Sequence, residues 1–311
     1  MSGRSRLALT ILAAVAPILG AGCSIKKFAI NKLGDALAES GTAYAKDDDP
    51  ELIRGAVPFG LKLTESLLEQ SPEHRGLLTA AASGFSQYAY AYVQEDADEL
   101  EDRDPNAAAE LRTRARKLYL RARGYALRGL AVGHPDFEES LRAGAGAGGA
   151  SSALRPMAVT DVPLLYWAAA SWGGAISLSK DDPDMVADLG FVGAIAQRAL
   201  DLDEGYDHGA LHELMISYEG ARSDAMGGSV ARAREHFERA MTLSEGKRAA
   251  PLLDLAEAVS IRNQDRKEFV QLLARALAID PDVRPEWRLF NLVMQRRARW
   301  LLARADLLFV E

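Results

Sequence analysis

Cysteine is almost missing from this sequence: Cys23 is the single one among 311 residues. An intrachain disulfide and a cysteine-based zinc site are thereby excluded. Positive net charge is missing too. The formal charge is −7 and the isoelectric point is near 5.4. That argues against broad nucleic-acid binding, which runs on a positive field. Strand patterning is also absent. No stretch sustains a period-two alternation, and valine and isoleucine are sparse beside alanine, leucine, arginine and glutamate. That balance predicts helix nearly throughout and essentially no sheet. Aromatic residues make up only 7%, but a hydrophobic content of 48% lets a chain of this length bury a substantial core.

What the sequence does have is a phrase that recurs three times. It reads Arg198-Ala199-Leu200-Asp201-Leu202-Asp203, then Arg239-Ala240-Met241-Thr242-Leu243-Ser244, then Arg275-Ala276-Leu277-Ala278-Ile279-Asp280. The alanines are 41 and 36 residues apart. Each phrase closes an amphipathic helix and precedes a turn and another apolar-periodic stretch. A period in this range, built from helical pairs, is the signature of tetratricopeptide-like stacking. The small alanine lets one helix approach its partner, and the neighbouring Leu or Ile fills the groove. One hairpin cannot bury its apolar stripe alone, so the hairpins must stack. The predicted fold class is all-α, a tetratricopeptide-like stack of helical hairpins over residues 23–311.

The N-terminus reads as a secretory signal over residues 1–22. Arg4 and Arg6 form its charged part, and Leu7 to Leu19 its apolar part, interrupted by Pro17. That run is short of the ~18 residues a spanning helix needs. Gly20-Ala21-Gly22 then leads into Cys23. The arrangement resembles a bacterial lipoprotein signal peptide. The resemblance implies that Cys23 becomes the first mature residue and carries the lipid. With Ser24 after it, it implies the periplasmic leaflet of the outer membrane, anchored without spanning. An ordinary signal with an incidental cysteine is the other reading.

Ser24 to Lys46 is amphipathic and predicts a first helix. Asp49-Pro50, Ser71-Pro72, Asp104-Pro105 and Asp182-Pro183 each read as a helix start, with a capping side chain followed by proline in the first turn. The acidic stretch from Glu95 to Asp104 predicts a solvated helix end or loop. The helix after it carries Arg112, Arg114, Arg116, Lys117, Arg121, Arg123 and Arg128. It predicts either a solvated face balanced by those acids or a docking face for an acidic partner or anionic headgroups. Residues 143–153, rich in glycine and alanine, predict a flexible loop. No Gly-Lys-Ser/Thr follows, so this is not a phosphate cradle. Val162 to Gly174 is apolar nearly all round and predicts a central, buried helix. The last helix is expected at about Glu286 to Leu302.

Catalytic chemistry is not legible. His208 and His212 are four apart on a predicted helix, a metal-compatible spacing, but there is no His-Glu-x-x-His and no third ligand. Asn291 and Gln295, also four apart, predict an interhelix hydrogen bond or a polar spot on a cavity wall. Tyr88, Tyr92, Tyr166, Trp167 and Trp172 form an aromatic set that fits a core or a ligand site. No nucleophile elbow, nucleotide loop or carboxylate motif stands out, so no catalytic residue, metal or cofactor is assigned.

Several segments together resemble a known family. These are Leu165-Tyr166-Trp167-Ala168-Ala169-Ala170-Ser171-Trp172-Gly173 with Ile176 to Asp181 after it, Ala233 to Ala240, Asn263-Gln264-Asp265-Arg266 with Phe269, and the ending from Leu289-Phe290-Asn291 to Leu307-Leu308-Phe309. They look like the T component associated with tripartite ATP-independent periplasmic (TRAP) transporters, the TatT family. The resemblance implies a periplasmic, all-helical lipoprotein, a homotrimer with a channel through each subunit. It implies association with the substrate-binding P component and handover of a hydrophobic or organic-acid ligand, with no catalysis. Expected channel residues are Tyr88, Tyr92, Tyr166, Trp167, Trp172, His212, Asn291 and Gln295. Ala169, Gly173 and Gly174 are expected where a wall must be thin.

Two further readings stay open. One is a scaffold lipoprotein that binds envelope proteins on a concave polar groove. The other is a helical-solenoid enzyme such as a lytic transglycosylase, which needs a buried Glu of raised pKa at the base of a long groove.

Overall fold

The structure is a computed structural model and describes residue 32, residues 41–144 and residues 151–310. Cys23, the signal segment, most of the segment from Ser24 to Lys46 and residues 145–150 lie outside the described residues. Among the described residues there is helix and no strand.

The helices are α1 Gly41–Ala45, α2 Pro50–Gln70, α3 Arg75–Tyr88, α4 Glu95–Leu100, α5 Pro105–Gly133, α6 Phe137–Ala143, α7 Ser151–Leu154 and α8 Val162–Ser177. They continue as α9 Pro183–Ala187, α10 Leu189–Leu202, α11 Ala210–Ala221, α12 Val230–Leu243, α13 Ala250–Leu255, α14 Arg266–Leu277, α15 Arg288–Ala303 and α16 Ala305–Leu308. A π-helical turn, Ala89–Gln94, joins α3 to α4. A second, Ala256–Ser260, extends α13. Three of the expected starts are built as read: Asp49, Asp104 and Asp182 each accept backbone N–H bonds from the first turn, with proline just inside it.

Five helix pairs follow one another: α2 with α3, α5 with α8, α10 with α11, α12 with α13, and α14 with α15. The first member of each pair packs against its own partner and against the second member of the pair before it. For α2, that preceding partner is α15, the last long helix. The second members pack backbone to backbone in order, whereas neighbouring first members reach one another through side chains, as Arg121 does Glu65 and Arg234 does Glu268. The second members therefore form an inner ring backed by an outer one.

Side-chain contacts fix the direction of the inner helices. Arg75 meets Asp161, Glu213 meets Arg248, Ser217 meets Asp254, Ala249 meets Asn291 and Glu257 meets Arg297. Contacts advance together along both chains, so the inner helices run parallel. The ring closes because Met294, Arg297 and Arg304 of the last long helix and the turn after it reach Tyr90, Asp98 and Asp102 near the start of the chain.

The alanines that mark the repeat are fully enclosed at Ala199, Ala240 and Ala276. Leu165, Trp172, Ile195, Leu211 and Phe269 fill the space between pairs. Where α8 meets α5, a Cβ on Gly174 would lie 2.7 Å from the Tyr119 ring, so only glycine permits that approach.

Several expectations need correction. The acidic stretch is solvated only at its end: Asp102, Arg103 and Asp104 are exposed after the helix stops, whereas Glu95 is fully enclosed and its neighbours Asp96 and Asp98 are ion-paired. The basic helix, by contrast, keeps a solvated face with Arg114, Lys117, Arg121 and Arg128 exposed, and Arg112 is balanced by the acids before it, Asp98 and Glu101, while Arg121 also reaches Glu65 and Arg128 the Pro72 carbonyl. Residues after Asp182-Pro183 form two helices, α9 and α10, divided at Asp188. The flanks of the glycine-rich segment are helical, and Ala153 is buried.

Candidate functional site

Both π-helical turns lie on inner helices, and they converge on one cation. Such turns are rare and concentrate at functional sites. The first brings Glu95 to 3.5 Å from Arg297 Nε, and the second brings Glu257 to 2.7 Å from the same atom. Asp98 holds Arg297 Nη1 at 2.7 Å. Neither oxygen of Glu95 has a hydrogen-bond donor of its own. Burial pushes its carboxyl up to about 7, with Arg297 opposing and Glu257 reinforcing the shift.

Further along the inner face, Asp254 accepts a hydrogen bond from Ser217 Oγ at 3.3 Å. Burial, helped by Glu213 and Glu257, holds the Asp254 carboxyl well above the usual range. Arg248 donates through Nη2 to Glu213 at 3.0 Å and through Nη1 to Asp207 at 3.2 Å, and lies over the Phe290 ring. Asp207, His208 and Gly209 take three successive left-handed conformations, φ 40°, 55° and 102°. Two of them are non-glycine residues in a region that costs on the order of 1 kcal/mol or more each.

Tyr90, Tyr166, Ser217 and Asp254 keep part of their surface accessible, although their helices are flanked by inner neighbours and backed by the outer ring. A cavity of about 260 Å³ opens between α3 and α8 and is lined by Gly76, Thr79, Ser83, Thr160 and Pro163. Ser83 stands two turns before Tyr90 on the same face. A second cleft, about 270 Å³, lies between outer helices α12 and α14, where Arg234 and Glu268 pair across it.

The residues expected at a channel take varied positions. The rings of Tyr88 and Tyr92 meet at a tilt of 52° with centroids 5.5 Å apart, and Arg54 covers Tyr92. They share the face of α3 opposite to Tyr90. Tyr166 packs against Trp167 and Tyr206, with its phenol pushed up by burial, Glu213 and Asp207. Trp172 is fully enclosed, against Phe191 and Arg123. Asn291 accepts from Ala249 N–H at 2.9 Å and donates to Lys247 O at 3.0 Å, tying down the start of α13. Gln295 donates to Ala276 O and Ile279 O, closing the end of α14. The spacing did not flag Tyr90, Glu95, Asp254, Glu257 or Arg297.

His208 and His212 do not share a helix face, because His208 precedes the helix in a left-handed turn. His212 pairs instead with His236, Nδ1 to Nδ1 at 2.8 Å, and its Nε2 meets Glu204 at 3.2 Å. No cluster able to hold a metal occurs among the described residues. Burial lowers the pKa of both histidines; His212 lowers that of His236 further, while Glu204 partly opposes the shift at His212. A lowered folded pKa means that the stability they contribute is present above ~6.5 and is lost as pH falls through the folded values. We expect the melting temperature of the wild type to drop more between pH 7.5 and 5.5 than that of His236→Gln. Thermal scans at both pH values test this, and equal drops would remove the pair as the cause.

Comparison with known proteins bears on this arrangement. The sequence model of the TRAP transporter T-component family matches residues 46–309. An uncharacterized protein of Treponema pallidum (strain Nichols) is 30% identical over 308 residues, covering 94% of this chain and 95% of that protein. No helix among the described residues is long and apolar enough to cross a membrane. A ring of helical pairs, built on the repeated alanine phrase and matched across nearly its whole length, belongs to the TRAP transporter T-component family.

Proposed function

We propose that this chain is a non-enzymatic accessory of a TRAP-type solute transporter on the periplasmic side, held to the outer membrane by lipid on Cys23. It works as a homotrimer that docks the substrate-binding P component. The ring of parallel inner helices offers an organic solute a passage through each subunit. One observation carries this reading: inner-face side chains such as Tyr166 and Asp254 lie deep in the fold and still keep accessible surface. Family membership supplies the transport association. The rigid outer pairs suit docking, because a preformed surface loses little entropy on binding.

Glu95 is the feature that favours an enzyme, since burial pushes its carboxyl up to about 7. A general acid must reach its substrate. Glu95 has no exposed surface and faces Arg297, so its raised pKa reflects enclosure within the ring closure rather than a reaction centre.

The transport reading is tested by titrating the purified mature chain with the P component encoded in the same gene neighbourhood. Association at micromolar concentration or tighter is expected. Its absence there would remove the main support for the assignment.

A further inference from the structure

Two outer helices, α2 and α5, carry an exposed face of unusual make-up for a chain whose net charge is −7. On α2, Leu52, Phe59 and Lys62 share one helical stripe and all are exposed. Phe59 is 75% exposed and Leu52 61%, so neither serves the core. On α5, Arg114, Lys117, Arg121 and Arg128 form a second exposed stripe. Lys62 and Arg121 share one enclosed carboxylate, Glu65. Arg114 lies over the Tyr88 ring, and neither it nor Lys117 enters an ion pair among the described residues. The exposed acids of the two helices, Glu51, Glu69 and Glu110, stand near helix ends.

The two stripes lie side by side. Arg121 reaches Glu65 and Arg128 reaches the Pro72 carbonyl, so contacts advance together and the helices run parallel. The same register sets Phe59 and Lys62 level with the segment from Arg114 to Lys117. The start of the described fold lies here too. Tyr44 Oη of α1 is 3.7 Å from where a Cβ on Gly60 would stand, next to Phe59. Cys23 precedes Gly41 by 18 residues. The tether to a lipid on Cys23 therefore leaves the fold beside α2 and spans at most ~65 Å.

We propose that the exposed face of α2 and α5 rests on an anionic lipid surface, with Phe59 and Leu52 entering the headgroup boundary and the arginines and lysines on lipid phosphates. The inference rests on the lipid-anchored reading and adds which side of the molecule turns toward the leaflet. Phenylalanine and leucine set among lysines and arginines suit a membrane interface, where apolar area and charge add. A lipid and a basic patch together also hold better than either alone. The tether, which keeps a leaflet at hand, favours lipid over a protein partner on this face.

The test uses the mature chain carrying Cys23→Ser, so that no lipid contributes, sedimented with vesicles of phosphatidylcholine alone or of phosphatidylcholine with phosphatidylglycerol. Binding to the anionic vesicles should be at least tenfold tighter than to the neutral ones and should weaken with added salt. Each cation near an anionic surface is worth about fivefold, so Arg114→Gln combined with Lys117→Gln should weaken binding at least tenfold. Phe59→Ser should weaken it several-fold. Equal binding to both vesicles, or binding to neither, would overturn the proposal, as would a double variant that binds like its parent. The comparison of vesicles decides the matter even if a variant does not fold. Loss of P-component binding in the double variant, with no vesicle binding by its parent, would make this a protein-docking face and overturn the lipid one. Mass spectrometry of the wild type extracted from membranes reads the anchor separately. Lipid on Cys23 without vesicle binding by the serine form would remove the face and keep the anchor; vesicle binding without lipid on Cys23 would do the reverse.

Discussion

Arg297→Ala lowers the free energy of unfolding by about 3–5 kcal/mol, the usual cost of removing one partner of a buried ion pair. The guanidinium stands among Glu95, Asp98 and Glu257, and its loss leaves three partly or wholly enclosed carboxylates facing one another. For a domain of this size that is a drop in melting temperature on the order of 10 °C. Glu95→Gln should act in the opposite direction. The folded pKa of Glu95, about 7, stands above its unfolded value of about 4.5. The folded protein therefore holds a proton that the unfolded chain has released between those values, and stability falls as pH rises through that window. At pH 8 the ionised, enclosed carboxylate costs about 3 kcal/mol, the free-energy equivalent of holding the group at about 7 instead of about 4.5. The glutamine variant should recover much of that at pH 8 and little at pH 5. Denaturant titrations of wild type and both variants at the two pH values check these signs. A Glu95→Gln variant less stable at pH 8 than at pH 5, relative to wild type, would contradict them.

Trp172→Ala should cost about 3–5 kcal/mol, the range for deleting a large enclosed aromatic. Trp172 has no exposed surface, packs on Phe191, and has the guanidiniums of Arg123 and Arg142 over its ring. Trp167, one turn back, is only half-buried and stands edge-on to Tyr166, so Trp167→Ala should cost clearly less. Chemical denaturation ranks the two. If the half-buried tryptophan proved the costlier loss, the order of burial assigned along α8 would be wrong.

Local signals were the legible part of this chain. Asp49-Pro50, Asp104-Pro105 and Asp182-Pro183 announce helix starts because the cap and the fixed proline φ act within three residues. The alanines of the repeated phrase announce packing because a small side chain at a helix crossing is needed wherever two helices come close. The pairing of charges was not legible. Arg297 and Asp98 are 199 residues apart in sequence, and nothing local in either predicts the other. An acidic run reads as solvated until the arginines that neutralise it arrive from the far end of the chain. Tyr90 was hidden for a related reason. Helical spacing groups Tyr88 with Tyr92, and Tyr90 between them falls on the opposite face. The partner of His212 was missed because attention to spacing on one helix favours His208 over His236, which comes from the next hairpin.

The place where the last long helix meets the first inner one differs from every other joint of the ring. Here long charged side chains bridge the two elements, Arg296 to Asp96 and Glu99, Arg297 to Asp98, Arg304 to Asp102, beside the apolar packing of Tyr90 and Ala91 on the cluster that holds Met294. Such a joint behaves as a buckle. Its strength depends in part on the surrounding electrolyte: the more open pair, Arg304 with Asp102, is screened over ~8 Å at physiological salt, whereas the enclosed Arg297 pairs are screened much less. Concentrated salt should loosen the strap here first, so that the circle yields sideways along a single line and the remaining pairs stay clasped.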